Sequence, residues 1–210
     1  MLCYSYWKKE EIRKFLSITK HELDYRDHVL FHLLIYTGAR KGEILALTWD
    51  DIEFEAGSIR LNKTLFHHEG KFIFQTSKTR ESKRLISLDT KTLSLLNKWR
   101  IRQNEAYLAG KGNLDDNKMV FDRDDGSPMR LAYPNEKLAA LNKKHGLHKI
   151  TIHGLRHTHA SLLFEAGASI KEVQEWLGHS DIQITMNIYT HVTDYLKEQT
   201  ADKFQRYIEL

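Results

Sequence analysis

The chain has 210 residues, 41% apolar and 29% charged, with 32 Lys and Arg against 28 Asp and Glu, a net charge of +4 and a pI of about 9.0. That composition is ordinary for a globular domain and permits a polyanionic partner without demanding one. A lone cysteine, Cys3, excludes an intramolecular disulfide framework and fits a reducing interior, and no apolar run is long enough for a membrane span or laid out as a signal peptide.

The first third reads as helix. "KKEEIRKFLSI" sets Ile12, Phe15 and Leu16 on one side, and "HVLFHLLIYTG" runs to a stop at Gly38. A short helix is expected in "KGEILALTW". From Ile52 to Leu88 the pattern becomes β-rich: "SIRLNKTL", "KFIFQTS" and "KRLISL", separated by "HHEG" and "KTRE", read as one small antiparallel meander. This stretch holds seven bases between Arg60 and Arg84 (Arg60, Lys63, Lys71, Lys78, Arg80, Lys83 and Arg84) and only two acids, Glu69 and Glu81. Charge alone does not choose between a solvated sheet face and a surface that tracks phosphates.

Helices resume with "TKTLSLLNKWR" and with "PNEKLAALNKKHG", where Pro134 suits a first helical turn and Gly146 a stop. "HGLRHTHASLLFEAG" places Leu155, His159, Leu162, Leu163 and Ala166 on one face. Ser169 with Glu172, and Ser180 with Gln183, have the spacing of capping boxes before two more helices. In the second of these, Ile182, Met186 and Tyr189 fall at i, i+4 and i+7, which predicts a buried stripe. The tail "DYLKEQTADKFQRYIEL" is a further amphipathic candidate. The result is a mainly helical chain with one small sheet, and no linker or repeat divides it.

Six polar residues, and a seventh, Glu43, in support of one of them, stand at or beside the punctuation between these elements. Arg40 lies two residues beyond Gly38, with Glu43 one turn later to orient it. His153 and Arg156 share a helix start. Lys78 sits in a hairpin turn, His179 in a turn after a helix stop, and Tyr189 follows ten residues later. Together they suit phosphoryl transfer without a metal. Two guanidiniums can hold the non-bridging oxygens and offset the charge of a pentacoordinate transition state. A tyrosine needs a base to take its proton, and a lysine can protonate a departing oxygen. His153 and His157, at i, i+4, could instead suggest a metal site, but no "HExxH" pattern or cysteine partner supports zinc. His157 and His159 read as packing residues beside the site, His67 and His68 as hairpin surface, and Trp176 as core.

"TGAR", "TSKT", "HGLR", "LGH" and "IYTH", in this order from residue 37 to 191, resemble the signature of the tyrosine recombinase (phage integrase) family. The resemblance covers nearly the whole chain as that family's C-terminal catalytic domain. It implies an α+β, mainly α-helical fold with a small three-stranded antiparallel sheet, the DNA breaking–rejoining fold. It also implies roles: Tyr189 as nucleophile, Arg40 and Arg156 as phosphate clamp, and Lys78 as general acid to the leaving 5′-oxygen. His153 would accept a proton, His179 would donate to the phosphate, and Glu43 would support. Lys63, Lys71, Arg80, Lys83 and Arg84 would contact DNA. No cofactor and no metal is implied, because a 3′-phosphotyrosine link conserves the bond energy. The partners implied are double-stranded DNA and, on it, three further copies in a homo-tetramer; the free chain is expected to be monomeric, away from membranes, in the bacterial cytoplasm.

Family members usually carry a core-type DNA-binding domain, often with an arm-binding domain, before this point. Here residues 1–210 correspond to the catalytic domain alone, so weak DNA affinity and incomplete site selection are expected. Residues 192–210, with Val192, Tyr195, Leu196, Phe204, Tyr207 and Ile208, form a tail that could dock on a neighbouring protomer or pack in cis. Two other readings share parts of the pattern. A type IB topoisomerase-like activity would use the same chemistry without strand exchange, and a non-catalytic DNA-binding regulator would need only the basic meander.

Overall fold

The computed structural model describes residues 6–76, 82–110 and 119–190, together with Gln205 and Ile208. Lys78 and Arg80, and all of the tail candidates except Ile208, lie outside the described residues; Ile208 is helical and exposed. Among the described residues no helix is long and apolar enough to cross a membrane.

The first helix, α1 (Lys9–Glu22), buries Ile12, Phe15 and Thr19, and the Glu11 carboxylate caps its start by accepting from the Lys8 backbone N–H at 2.8 Å. It lies against α2 (Tyr25–Thr37), which is buried on nearly every side and forms the axis of the domain. Gly38 ends α2 in the left-handed region, φ 61°. A Cβ there would also come within 2.6 Å of the His159 ring, so both conformation and packing require glycine. The short helix α3 (Lys41–Leu45) follows at once, with Arg40 as its first flanking residue.

The β-rich stretch forms two units rather than one meander. Strands β1 (Ile52–Glu53), β2 (Ser58–Leu61) and β5 (Arg84–Ser87) make an antiparallel sheet in the order β1-β2-β5, whereas β3 (Lys63–His68) and β4 (Lys71–Thr76) make a separate hairpin. "SIRLNKTL" therefore breaks at Asn62. The local cause is the two-residue turn at Glu69 and Gly70, φ 47° and 76°, whose twist closes β3 onto β4. The distant cause is the pairing of Ile59 with Ile86, both fully buried, which draws β5 back to β2 across the excursion.

Helix α4 (Thr90–Leu108) is capped by Asp89, whose carboxylate accepts from the backbone N–H groups of Lys91 and Thr92. Helix α5 (Tyr133–His145) starts with Pro134 in its first turn and stops at Gly146, φ 59°. Helix α6 (Ile152–Glu165) packs on α2 and buries Ile152, Leu155, Arg156, Thr158, Ala160, Ser161 and Phe164. The expected face is thus corrected: Ala166 is exposed and Leu162 and Leu163 are only half-buried. Because α6 is covered by α2 on one side and by the following helix on another, a single-stripe reading underestimates how much of it is enclosed.

Helix α7 (Ile170–Leu177) has the predicted Ser169–Glu172 capping box and ends at Gly178 in the left-handed region. The next helix, α8, runs through residues 182–190. Its start is capped by Asp181, which accepts from the Gln183 N–H at 2.9 Å, and not by Ser180. The predicted stripe is also corrected. Ile182 and Met186 are 45% and 39% exposed, while Thr185 and Ile188 face inward, Ile188 onto a small cluster with Ala160, Phe164, Val173 and Leu177. The main core lies around α2, with α1, α3, the sheet and the start of α6.

Candidate active site

The site is organised by the C-terminal end of α7. The last carbonyls of a helix have no partner within it and sit at the negative end of its dipole. Here three consecutive ones each accept from a different arginine. Arg84 Nε donates to Trp176 O at 2.8 Å, Arg156 Nη2 to Leu177 O at 2.8 Å, and Arg40 Nη2 to Gly178 O at 3.3 Å. Trp176 Nε1 adds a bond to Thr37 O at the end of α2, and Arg156 Nη1 one to Gly38 O at 2.8 Å. The "TGAR", "HGLR" and "LGH" segments, distant in sequence, meet at this one helix end.

Glu43 completes the arrangement. It is 3% exposed and its two oxygens accept from Arg40 Nη1 (3.0 Å), the Arg40 backbone N–H (2.8 Å), Arg84 Nη1 (3.1 Å) and Arg84 Nη2 (3.0 Å). Burial disfavours its charge, but the two guanidiniums outweigh this and hold its carboxyl below the usual range. Three guanidiniums around one carboxylate leave a net excess of positive charge. Burial, with Arg40 and Arg84 nearby, pulls the Arg156 guanidinium down to about 9, which still leaves it charged at neutral pH.

Arg40 and Arg156 differ in access. The Arg40 side chain is 43% exposed, whereas Arg156 is 3% exposed. Both line one cleft of about 990 Å³ together with His153. Its walls bring three lysines that the sequence reading did not single out, Lys41, Lys143 and Lys149, over an apolar floor that includes Leu138 and Ile150. Each arginine uses two side-chain N–H groups in the bonds above, of the five a guanidinium carries.

His153 is exposed at the start of α6, with the ring of His157 edge-on at 4.5 Å. Its place in the cleft wall still removes part of the ring from water, and this, with the charges of Arg156 and Arg40, lowers its pKa, so it is neutral near pH 7 and able to accept a proton. His179, 5% exposed, follows Gly178 directly, and its Nδ1 is bonded to the Thr185 hydroxyl at 2.9 Å. That bond ties the turn to the first turns of α8. Burial first, then Arg156 and Arg40, push the His179 pKa down to about 3, so it too is neutral.

Tyr189 is not drawn into the hydrogen-bonded cluster. Its ring packs edge-on against Phe164 of α6 at 5.1 Å, it is half-buried, and among the described residues its hydroxyl makes no hydrogen bond. The basic residues divide as well. Lys71 and Lys83 are exposed, but Lys63 is paired with buried Asp51 at 2.7 Å and Arg84, its side chain 6% exposed, belongs to the arginine cluster rather than to an open face. Strand alternation could have located Arg84: it lies two residues before buried Ile86 and so points to the same side. Among the described residues no three His, Cys, Asp or Glu side chains are grouped so as to hold a metal ion.

The chain matches the model of the phage integrase family over residues 6–195. It is 31% identical over 202 residues to the ICEBs1 integrase of Bacillus subtilis, covering 94% of this chain and 53% of that protein. It is 36% identical over 205 residues to a XerC-like tyrosine recombinase of Caldanaerobacter subterraneus, covering 92% of this chain and 52% of that one. The chain thus spans about half the length of these relatives. Among solved structures, the Tn1549 transposon integrase in complex with transposon right end DNA superposes with a TM-score of 0.76 at 23% identity, covering 96% of this chain and 67% of that one. XerH recombinase in a post-cleavage complex with its difH substrate gives a TM-score of 0.69 at 28% identity, covering 96% of this chain and 53% of that one. A helical domain with a small antiparallel sheet, its arginines gathered on one helix end, and a family match along nearly its whole length make this chain a member of the phage integrase family of tyrosine recombinases.

Proposed function

We propose that this chain is the catalytic part of a site-specific DNA recombinase, which cleaves and rejoins DNA strands through a covalent 3′-phosphotyrosine for the integration or excision of a mobile element. The observation that carries the reading is the placement of Arg40, Arg156 and His153 on one basic cleft, with both arginines anchored on successive carbonyls of α7. Fixed donors of this kind stabilise charge that develops in a transition state without reorganising. In the reaction, the Tyr189 oxygen forms a bond to phosphorus as the bond to the 5′-oxygen breaks. The phenol proton passes to His153, and the leaving 5′-oxygen takes a proton from Lys78. Arg40 and Arg156 hold the non-bridging oxygens, and His179 donates to one of them through the ring nitrogen that Thr185 does not engage. Attack on the phosphotyrosine by a 5′-hydroxyl reverses the sequence and reseals a strand.

The DNA backbone would continue past the reacting phosphate along Lys41, Lys143 and Lys149, and on the other side along Lys71, Lys83 and Arg80. The related structures described as complexes with DNA lend support to this choice of partner. Assembly would be a tetramer on DNA from monomers in solution, with residues 192–210 as the segment that joins neighbours. A suicide substrate nicked beside the scissile bond, incubated in EDTA, should trap a protein–DNA adduct. Absence of the adduct with intact DNA binding would overturn the reading.

A further inference from the structure

Arg84 opens β5, directly after the segment that carries Lys78, and its charge sits among bases that suggest a DNA-facing strand. Its side chain is nevertheless enclosed, and its donors are committed to Glu43, Trp176 O and Ser82 O. Glu43 is the carboxylate that also fixes Arg40, through both its side chain and its backbone N–H. One buried carboxylate thus stands between two guanidiniums. If Arg84 were absent, Glu43 and Arg40 would form a closed pair, and the Arg40 charge would be neutralised locally instead of being available to a phosphate. With Arg84 present, Glu43 is already balanced and serves only to set the direction of Arg40. The Arg84 fork also joins the sheet to the last turn of α7, so one side chain fixes three of the segments that meet at the site.

We propose that Arg84 is a positioning residue for strand cleavage and not a DNA contact: its bidentate bond neutralises Glu43, which leaves Arg40 oriented and electrostatically free to bind the phosphate. This rests on the recombinase reading above for its chemistry, but its electrostatic content can be tested without DNA.

The variants are Arg84→Met, Arg84→Lys as the milder change should the first not fold, and each combined with Glu43→Gln. Two readouts are taken on the full chain: sulfate binding followed by the side-chain NMR signals of the arginines, and single-turnover cleavage of the nicked substrate at saturating protein. Arg84→Met is expected to weaken sulfate binding about tenfold and to slow cleavage at saturating protein by about 100-fold, a loss that added protein does not recover. Adding Glu43→Gln should restore part of both losses, because the carboxylate that captures Arg40 is gone. A merely structural role predicts the opposite sign, the double variant being worse than the single one, and that result would overturn the proposal. So would a loss of DNA affinity with a salt slope reduced by about one and an unchanged rate at saturation, which marks a phosphate contact. If sulfate binding follows the expected order while the wild-type chain forms no adduct, the role of Arg84 stands and the recombinase reading falls.

Discussion

The arginine cluster and the helix that carries Tyr189 are neighbours held in different ways. Arg40, Arg84 and Arg156 are fixed by the end of α7, by Gly38 O and by a buried carboxylate, so that the cluster is hydrogen-bonded on several sides. Helix α8 is attached by the His179–Thr185 bond, by Ile188 and by the contact of Tyr189 with Phe164, while Ile182 and Met186 face outward. The contrast has a chemical logic. Groups that stabilise developing charge work best when they are rigid before the reaction, since any reorganisation subtracts from their effect. On the proposed reading the nucleophile carried by α8 has instead to arrive in line, a demand on its position rather than on prior rigidity.

The sharpest way to break this comparison is to remove the phenol. Tyr189→Phe should abolish the trapped adduct while DNA binding, measured by titration, stays as in the unaltered chain; an adduct from this variant would place the nucleophile elsewhere. The arginines come next. Arg40→Ala and Arg156→Ala should each slow single-turnover cleavage by on the order of 10³-fold. They should differ in stability, because Arg156 is buried and its loss strands Gly38 O and Leu177 O, whereas Arg40 is near the surface. A thermal scan in which both variants melt together would contradict the layered arrangement. Lys78→Ala should be rescued by a substrate with a 5′-phosphorothiolate leaving group, which needs no proton, and failure of that rescue would remove Lys78 from the acid role.

How legible these two regions were in the sequence differs for the same physical reason. The cluster is built where helices stop, and stops have local chemistry: Gly38, Gly178 and the Ser169–Glu172 box are set by the backbone and a few adjacent atoms. The motifs that start or stop a helix, "TGAR", "HGLR" and "LGH", could therefore be assigned to elements correctly, whereas the turn expected around Lys78 lies outside the described residues. The faces of α6 and α8 depend on which other helices cover them, and a periodic stripe does not contain that information. Ile182 and Met186 satisfy the spacing of a buried stripe as well as Thr185 and Ile188 do, yet it is the threonine that is buried, because its hydroxyl meets His179. The β region failed at Asn62 on similar grounds: β-propensity continues through "SIRLNKTL", but its two halves pair with different strands. Arg84 was read by its charge when its position relative to Ile86 held the better information.

A smaller effect should appear with pH. Burial holds the pKa of His179 down to about 3, and those of His32, His157 and His159 down to about 4, below the ordinary value of 6.5. Each is neutral in the fold and takes up its proton on unfolding, so the unfolded chain binds more protons wherever the pH lies between the two values. The stabilisation is complete above about pH 6.5 and is lost as pH falls toward 4. Melting temperature should therefore drop between pH 8 and pH 5, and a flat profile would mean that these rings are hydrated in the folded state.

The last test separates the two sides of α8. Ile188→Ala removes a side chain from the cluster around Phe164 and should cost about 2–4 kcal/mol in denaturant unfolding. Met186→Lys, two residues earlier on the exposed side, should change stability by no more than about 0.5 kcal/mol. Ile→Ala gains helix propensity and Met→Lys hardly changes it, so a larger loss at Ile188 reports burial and with it the orientation of α8. If Met186→Lys proved the costlier substitution, α8 would be rotated so that Ile182 and Met186 pack inward, and Tyr189 would leave its contact with Phe164 for another direction.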